Sequence, residues 1–371
     1  MVIKMLKPYD LPFLPIKFET EVELSFYKLV VEASTQLEKL KQKLRYSPVN
    51  ESFIQLIALK ESVQSTKIEG SQVTFNEMLE DQLSDEKDWE KVEVNNYQNA
   101  LKLGAERIEQ GYPLTERLIR ELHTVLMKDA RGSTGLIGEY RKVQNFIGPT
   151  RDIKDAQYIP PEPQKVAEYM HNLEQYMNGN PYTDEQMDTL HSLIKVAIIH
   201  AQFESIHPFS DGNGRLGRIL IVLYLLQEKL IKRPVFFSSE ELEKEQFKYY
   251  KFLNGVRAIK GRKADWQSWI IFFLEATIKM AGRQFDKLDQ AERLFIEVNQ
   301  QLKQPSLKKI WFALFTHPIT TVKDMQQLTN LSDSTVRKGL KLLEEKHYIF
   351  GNDYRRNRRY YLYDLIRIMT D

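Results

Sequence analysis

Apolar residues recur at helical spacing along most of this chain. Glu21–Leu44 and Ser52–Lys67 each read as an amphipathic helix. The second carries Phe53, Ile54, Ile57 and Ala58 on one face, with Asn50 or Ser52 as N-cap and Gly70 placed to stop it. Gly111, Pro113 and Thr115 punctuate the chain, and Thr115 suits the cap of a helix over Glu116–Met127. Further helices are expected at Pro163–Tyr176, Asp184–Ser205, Arg215–Lys229, Glu240–Val256 and Asp265–Val298. Leu190, Leu193, Ile194, Ala197, Ile198 and Ala201 form a buried stripe in the second of these.

Three stretches break the pattern. Residues 1–20 are rich in Pro and aromatics without periodicity and read as extended chain on the surface. Arg131–Pro160 holds Gly132, Gly135, Gly138 and Gly148, and its segment Glu139–Ile147 looks like a short hairpin. From about Pro305 the order is helix, short helix (Thr321–Leu328), turn, helix (Asp333–Lys346), then two strands within Tyr348–Tyr363 around Gly351-Asn352. That order is a helix-turn-helix followed by a wing. The expected fold is mainly α, with regions 1–109, 110–299 and 300–371.

Composition narrows the class. The 371 residues are 42% hydrophobic and 28% charged, ordinary values for a globular protein. With no Cys, disulfides, thiolate metal sites and a Cys nucleophile are excluded. Lys4, Lys7, Pro8 and Asp10 interrupt the first residues, so a secretion signal is not expected, and the expected location is cytoplasmic. The longest apolar run, Ile219 to Leu226, is far short of the roughly 18 residues that cross a bilayer, so no membrane partner is expected. The net charge of +2 conceals a split: from residue 300 onward 13 basic residues face 7 acidic ones, a net of +6. The preceding 299 residues therefore carry −4. Arg337, Lys338 and Lys341 on the second tail helix, with Arg355, Arg356, Arg358 and Arg359 in the wing, make DNA a candidate partner. Dimerisation or target binding by the same module is the alternative.

The chemistry concentrates in His207-Pro208-Phe209-Ser210-Asp211-Gly212-Asn213-Gly214-Arg215-Leu216-Gly217-Arg218. Pro208 ends one helix, and a glycine turn leads straight into the next. Gly212 and Gly214 let backbone N–H groups face one hollow at a helix N-terminus, where the dipole favours anions. Arg215 and Arg218 are three apart and share a face, which suits a polyphosphate. Asp211 offers a carboxylate for Mg²⁺ against phosphate oxygens. His207 is the nearby side chain able to accept a proton near pH 7. Together they describe phosphoryl or nucleotidyl transfer. A calcium loop is excluded, because Arg215 and Arg218 stand at its fifth and eighth positions. A zinc site of His200, Glu204 and His207 is disfavoured by Pro208 and the adjacent arginines. His200 and Glu204 read instead as orienting or packing residues.

The string matches the H-x-F-x-D-G-N-G-R-x-x-R motif of the Fic (filamentation induced by cAMP) family at every fixed position, and the resemblance covers roughly residues 110–285. It implies a helical core with a hairpin flap and an activity that moves AMP from ATP to a Ser, Thr or Tyr hydroxyl of a protein, or of the chain itself. In that picture His207 is the base and Asp211 holds Mg²⁺. Gly212, Asn213, Gly214, Arg215, Leu216, Gly217 and Arg218 serve ATP, with Arg218 on the γ-phosphate. Glu139–Ile147 corresponds to the flap that docks the target as an added strand. Tyr249 and Tyr250 resemble a pair lining the adenine pocket, or are simply packed aromatics.

Ser65-Thr66-Lys67-Ile68-Glu69-Gly70 resembles the family's inhibitory motif, [S/T]-x-x-x-E-[G/N]. Ser65 and Glu69 share a helix face, and Glu69 lies at a helix C-terminus, which disfavours a carboxylate by about 0.3–1 kcal/mol unless a cation answers it. The resemblance implies that Glu69 pairs with Arg218 and blocks the γ-phosphate, and in some relatives this glutamate supports removal of AMP. Two other functions stay open: a DNA-binding regulator that modifies itself, and a transferase with another donor group. A dimer that occludes the flap or pairs two tails is a further expectation.

Overall fold

A computed structural model describes residues 7–81, 88–130, 136–148, 150, 152–179, 190–257, 263–354 and 357–371. Helices α1 (Thr20–Tyr46), α2 (Asn50–Ile68), α3 (Phe75–Asp81) and α4 (Trp89–Glu109) come first. Then follow α5 (Glu116–Leu126), α6 (Val166–Asn178), α7 (Ser192–Ile206) and α8 (Asn213–Gln227). Next are α9 (Ser239–Lys244), α10 (Gln246–Val256) and the long α11 (Trp266–Gln301). The C-terminal part runs α12 (Pro305–Thr316), β1 (Ile319–Thr321), α13 (Val322–Thr329), α14 (Asp333–Glu345), β2 (Phe350–Gly351), β3 (Arg359–Tyr361) and α15 (Tyr363–Thr370).

The molecule is mainly helical, and three helices explain where its chemistry sits. In α7 every residue from Val196 to Ile206 is buried, and α8 is buried from Arg215 to Leu225. Helix α2 buries Phe53, Leu56, Ile57, Leu59 and Val63, but also Lys60, Glu61, Ser62, Ser65 and Thr66. A helix apolar nearly all round belongs at the centre of a domain, and polar groups on such helices survive only where partners await them. Around this centre α1 lies along α11, while α4, α5 and α6 cover the other flank. Trp269 of α11, fully buried, donates to the Ala197 carbonyl at 2.8 Å and ties α11 to α7. Residues 7–19 run extended over α6, with Leu11 N–H on the Tyr169 hydroxyl and Leu14 paired with Asn172.

Local signals act as expected in several places. Thr115 caps α5 by accepting from Leu118 N–H at 3.2 Å. Gly70, at φ +99°, ends α2, and Ser71 N–H reaches back to the Thr66 carbonyl. Other expectations change. The helix expected over Glu240–Val256 breaks at Glu245 into α9 and α10. Residues 184–189 of the expected Asp184–Ser205 helix lie outside the described residues, Leu190 and His191 are not helical, and α7 begins at Ser192. The hairpin expected within Glu139–Ile147 is instead an irregular extended segment, its sheet pairing reduced to one antiparallel bridge between Ile147 and Tyr158. Arg141, Gln144 and Asn145 bond to carbonyls of neighbouring loops, and among the described residues no strand pairs with the segment beyond that bridge.

In the C-terminal part β1, β3 and β2 form an antiparallel sheet in that order, with Ile319 opposite Tyr361 and Gly351 opposite Tyr360. Thr321 and Asp324 make a reciprocal cap on α13, and Ser332 caps α14. The chain past Asn352 runs on to Arg359 before pairing, a longer turn than Gly351-Asn352 suggests. Tyr363 opens a helix rather than closing a strand. That helix, α15, buries Leu365, Ile366 and Met369, and the Met369 carbonyl accepts from Lys60 (2.6 Å) and Lys287 (3.0 Å).

Candidate active site

Helix α7 ends in a left-handed residue, His207, at φ 48° and ψ 61°. For a side-chain-bearing residue that conformation costs about 1–2 kcal/mol, so the surroundings must impose it. Arg141, 2% exposed, does much of this: its Nε donates to the His207 carbonyl and its backbone N–H to the Pro208 carbonyl, each at 2.9 Å. Burial pushes the His207 imidazole down to about 3, with Arg257 and Arg141 adding to the shift. The ring is therefore neutral near pH 7. Its Nδ1 is buried without a hydrogen-bond partner among the described residues.

The loop from Pro208 to Gly212 is held from inside. Asn213 accepts from Phe209 N–H and donates to the Phe209 carbonyl, both at 2.9 Å. Its side chain is thus spent on shaping the loop, which leaves its backbone N–H for the phosphate cradle that the sequence expects of it. His123 of α5 stacks on Phe209 with centroids 3.8 Å apart. Its Nδ1 accepts from Gly138 N–H, so the proton assigned from this network is on Nε2, which donates to the Asp211 carbonyl at 3.1 Å. Burial lowers His123 to about 4 and keeps it neutral in this role.

Helix α8 opens at Gly212, itself left-handed at φ 76°, where an added Cβ would meet the Met127 sulfur at 2.7 Å. First-turn amides of a helix have no partners within it, so those of Asn213, Gly214 and Arg215 form an anion-attracting end. Asp211 stands beside them, its side chain 56% exposed and one carboxylate oxygen on Gly212 N–H at 2.6 Å. The second oxygen is a hard donor at the mouth of an anion hollow. That donor set fits Mg²⁺, which takes one or two carboxylates and completes its shell with phosphate oxygens and water. Among the described residues no group of three or more His, Cys, Asp or Glu is placed to hold a metal by itself.

Arg215 is buried, with Nη1 3.1 Å from Glu93 of α4 and Nη2 3.9 Å from Asp211. Leu216 is wholly in the core, and Gly217 faces α7, where a Cβ would strike Glu204 and Phe203. Neither side presents itself to a ligand, so both support the site instead of lining it. Arg218, 1% exposed, turns all its bonds toward α2: Nε to Ser65 Oγ (2.8 Å), Nη2 to the Ser65 carbonyl (2.9 Å) and to Glu69 Oε1 (2.6 Å). The Glu69 carboxylate also lies where a Cβ on Gly214 would be. It therefore sits against the α8 N-terminus, and the cation and dipole there answer the unfavourable end of its own helix.

The two tyrosines separate. Tyr249 is 1% exposed and bonded to His200 Nε2 at 2.9 Å, beside Trp269. It is a core residue here, which agrees with the packed aromatic that the sequence offers as the alternative to an adenine contact. Tyr250 is 39% exposed and lines a groove with Phe247, Asn254 and Gln157.

Two family descriptions match this chain: Fic/DOC family over residues 113–225, and Fic/DOC family N-terminal over residues 27–106. The chain carries a Fic/DOC family domain. The protein adenylyltransferase Fic of Drosophila erecta is 29% identical over 180 residues, 48% of this chain and 31% of that protein. The match thus spans about a third of its relative's length. A Fic family protein from Desulfovibrio desulfuricans G20 shares the fold with a TM-score of 0.55 at 22% identity, over 94% of this chain and 98% of that one. A Fic domain containing signaling protein from Bacteroides thetaiotaomicron reaches 0.55 at 19% identity, over 70% and 98%.

Sequence reasoning missed His123 and Arg141 within the Fic domain, and Glu93 and Arg257 outside it. Each stands far from the motif along the chain and bonds mainly to backbone or to a buried partner. Their signal was weak: lone charged or imidazole groups beside apolar residues, such as His123 between Leu122 and Val125.

Proposed function

We propose that this chain is a self-inhibited protein adenylyltransferase, which moves AMP from ATP to a hydroxyl of a target protein or of itself. One observation carries the reading. Arg218, the motif's last arginine, is held by Ser65 and Glu69 beside an amide-lined helix end and a neutral imidazole.

The target hydroxyl oxygen would bond to the α-phosphorus as the bond to the bridging oxygen of the leaving pyrophosphate breaks. His207 takes the hydroxyl proton. The α8 amides and Arg215 face the phosphates, and Arg218 serves the γ-phosphate once Glu69 has left it. Asp211 would hold Mg²⁺, whose contribution when bound is to neutralise phosphate charge. Irregular segment 139–147, with Val143 73% exposed, suits an extended target segment alongside. The C-terminal part, with its helix-strand-helix-turn-helix-strand-strand order, we read as a winged-helix module on this core. A DNA-binding role draws less support: Arg358 pairs with Glu344 and Arg359 with Glu80, while Arg355 and Arg356 lie outside the described residues.

The test gives α-labelled ATP to wild type, Glu69→Gly and His207→Ala in cell lysate. Protein label should be strongest with Glu69→Gly and absent with His207→Ala. Label in none of the three, or transfer only from the γ-position, defeats the reading.

A further inference from the structure

The last carbonyls of a helix lack partners within it, and at the end of α7 every one is answered from outside. The Glu204 carbonyl accepts from Arg257 Nη2 at 3.0 Å and the Ser205 carbonyl from the Tyr158 hydroxyl at 2.7 Å. The Ile206 carbonyl accepts from Arg141 Nη2 at 3.4 Å, the His207 carbonyl from Arg141 Nε, and the Pro208 carbonyl from Arg141 N–H. Arg257 also lies over the Tyr158 ring, 4.3 Å from its centroid, so these donors brace one another. Among the described residues, three successive carbonyls, on both sides of the left-handed residue, thus take their hydrogen bonds from Arg141.

We infer that Arg141 is the positioning residue for the base: it holds the left-handed turn at His207 and joins that turn to the segment expected to dock the target. This rests on the adenylyltransferase reading. Nε and Nη2 of Arg141 are committed to carbonyls, including that of Pro161 at 2.5 Å, while Nη1 is buried with no hydrogen-bond partner among the described residues, so it acts on the turn through the first two nitrogens. Its place on segment 139–147 matters as much as its bonds. Asn145, four residues on, donates to the Phe209 carbonyl at 3.4 Å, so the same segment grips the loop at two points. A displacement of that segment is therefore transmitted directly to the imidazole.

A fork of parallel N–H donors is what spans neighbouring carbonyls, and lysine lacks it. The groups facing His207 are Arg141 from the loop, Arg257 from the end of α10, Tyr158 from the bridge, and Glu204 on α7 itself. Removing Arg141 thus loosens geometry and removes one of two nearby positive charges.

The experiment compares Arg141→Met and Arg141→Lys with their parent in a Glu69→Gly background, measuring kcat and KM for ATP, with thermal unfolding alongside. A misplacement on the scale of 1 Å costs about a hundredfold. Arg141→Met should lose about that factor in kcat with KM for ATP within about twofold, and Arg141→Lys should fall between. Tyr158→Phe, which deletes only the donor to Ser205, should lower kcat less and in the same way; it decides the matter if Arg141→Met does not fold. Parent-like kcat in Arg141→Met or, failing that, in Tyr158→Phe overturns the inference, as does a rise in KM that accounts for the loss. If the Glu69→Gly parent itself transfers no AMP, it is the adenylyltransferase reading that fails.

Discussion

Arg218 and Glu69 stand 149 positions apart in sequence and 2.6 Å apart in space. The arginine is wholly buried and the carboxylate 38% exposed, so the pair joins the domain's centre to its surface. Replacing Glu69 by Gly frees a buried guanidinium for phosphate. AMP transfer should rise roughly tenfold, taking a charge-assisted bond discounted for solvent screening. Unchanged transfer would refute the inhibitory role.

The same variant should depend more on its nucleotide. Without Glu69, Arg218 keeps only Ser65 as a hydrogen-bond partner among the described residues, and a buried charge with too few partners destabilises. Glu69→Gly should unfold at a lower temperature than wild type, and ATP with Mg²⁺ should raise its Tm by more than it raises that of wild type. Equal shifts in the two proteins count against the pair as a gate.

Ser65→Ala offers a graded version. It removes the acceptor for Arg218 Nε and leaves the Ser65 carbonyl and Glu69 in place. Transfer should increase, but by less than in Glu69→Gly; a larger increase would contradict the order of these contacts.

Glu204 faces Gly217 with one carboxylate oxygen unpartnered among the described residues, and burial raises its pKa from 4.5 to about 7. Arg218 pulls the other way and Glu69 pushes it further up. Between those pH values the folded state holds a proton that the unfolded chain has released. Its stabilising contribution is therefore full below about 4.5 and lost as pH rises through about 7, a difference of about 3 kcal/mol. Urea unfolding at pH 5 and 8 should show wild type losing stability relative to Glu204→Gln. The neutral histidines contribute in the opposite sense, but equally in both proteins. Parallel pH profiles would remove the argument.

Lys287 and Lys60 converge on the Met369 carbonyl with Glu240 nearby. Burial, with Lys60 next, lowers Lys287 to about 7. A lysine depressed in the fold adds stability above its unfolded pKa and loses it as pH falls through the folded one. Stability should therefore rise with pH between about 7 and 10.5 in wild type, and rise less in Lys287→Met, as followed by unfolding across that range.

The motif from His207 to Arg218 was legible because its groups are neighbours in the chain. A helix stop, a glycine turn and a helix start suffice to bring their backbones together. Legibility failed where a side chain's role depends on what covers it. Nothing in the sequence separated the Asn213 side chain, spent on Phe209, from a phosphate ligand, or Tyr249 from Tyr250. The hairpin expected within Glu139–Ile147 gave way because Arg141, Gln144 and Asn145 of that segment bond to loop carbonyls instead of to a partner strand. The short β1 and the helix α15 were missed since three residues, or a run of tyrosines, carry too little periodicity.

The sequence by itself determined a helical protein with a phosphate-handling turn, since helix periodicity and turn chemistry are local. Its resemblance to the Fic motif supplied the candidate base and the candidate brake. Only the tertiary structure decided how they are held. Arg141 grips His207 across 66 positions and His123 grips Asp211 across 88. Such bonds join backbone carbonyls to distant side chains, and a carbonyl is present at every residue. No residue type along the chain marks which carbonyl will be chosen, so the choice belongs to the packing of α2, α7 and α8.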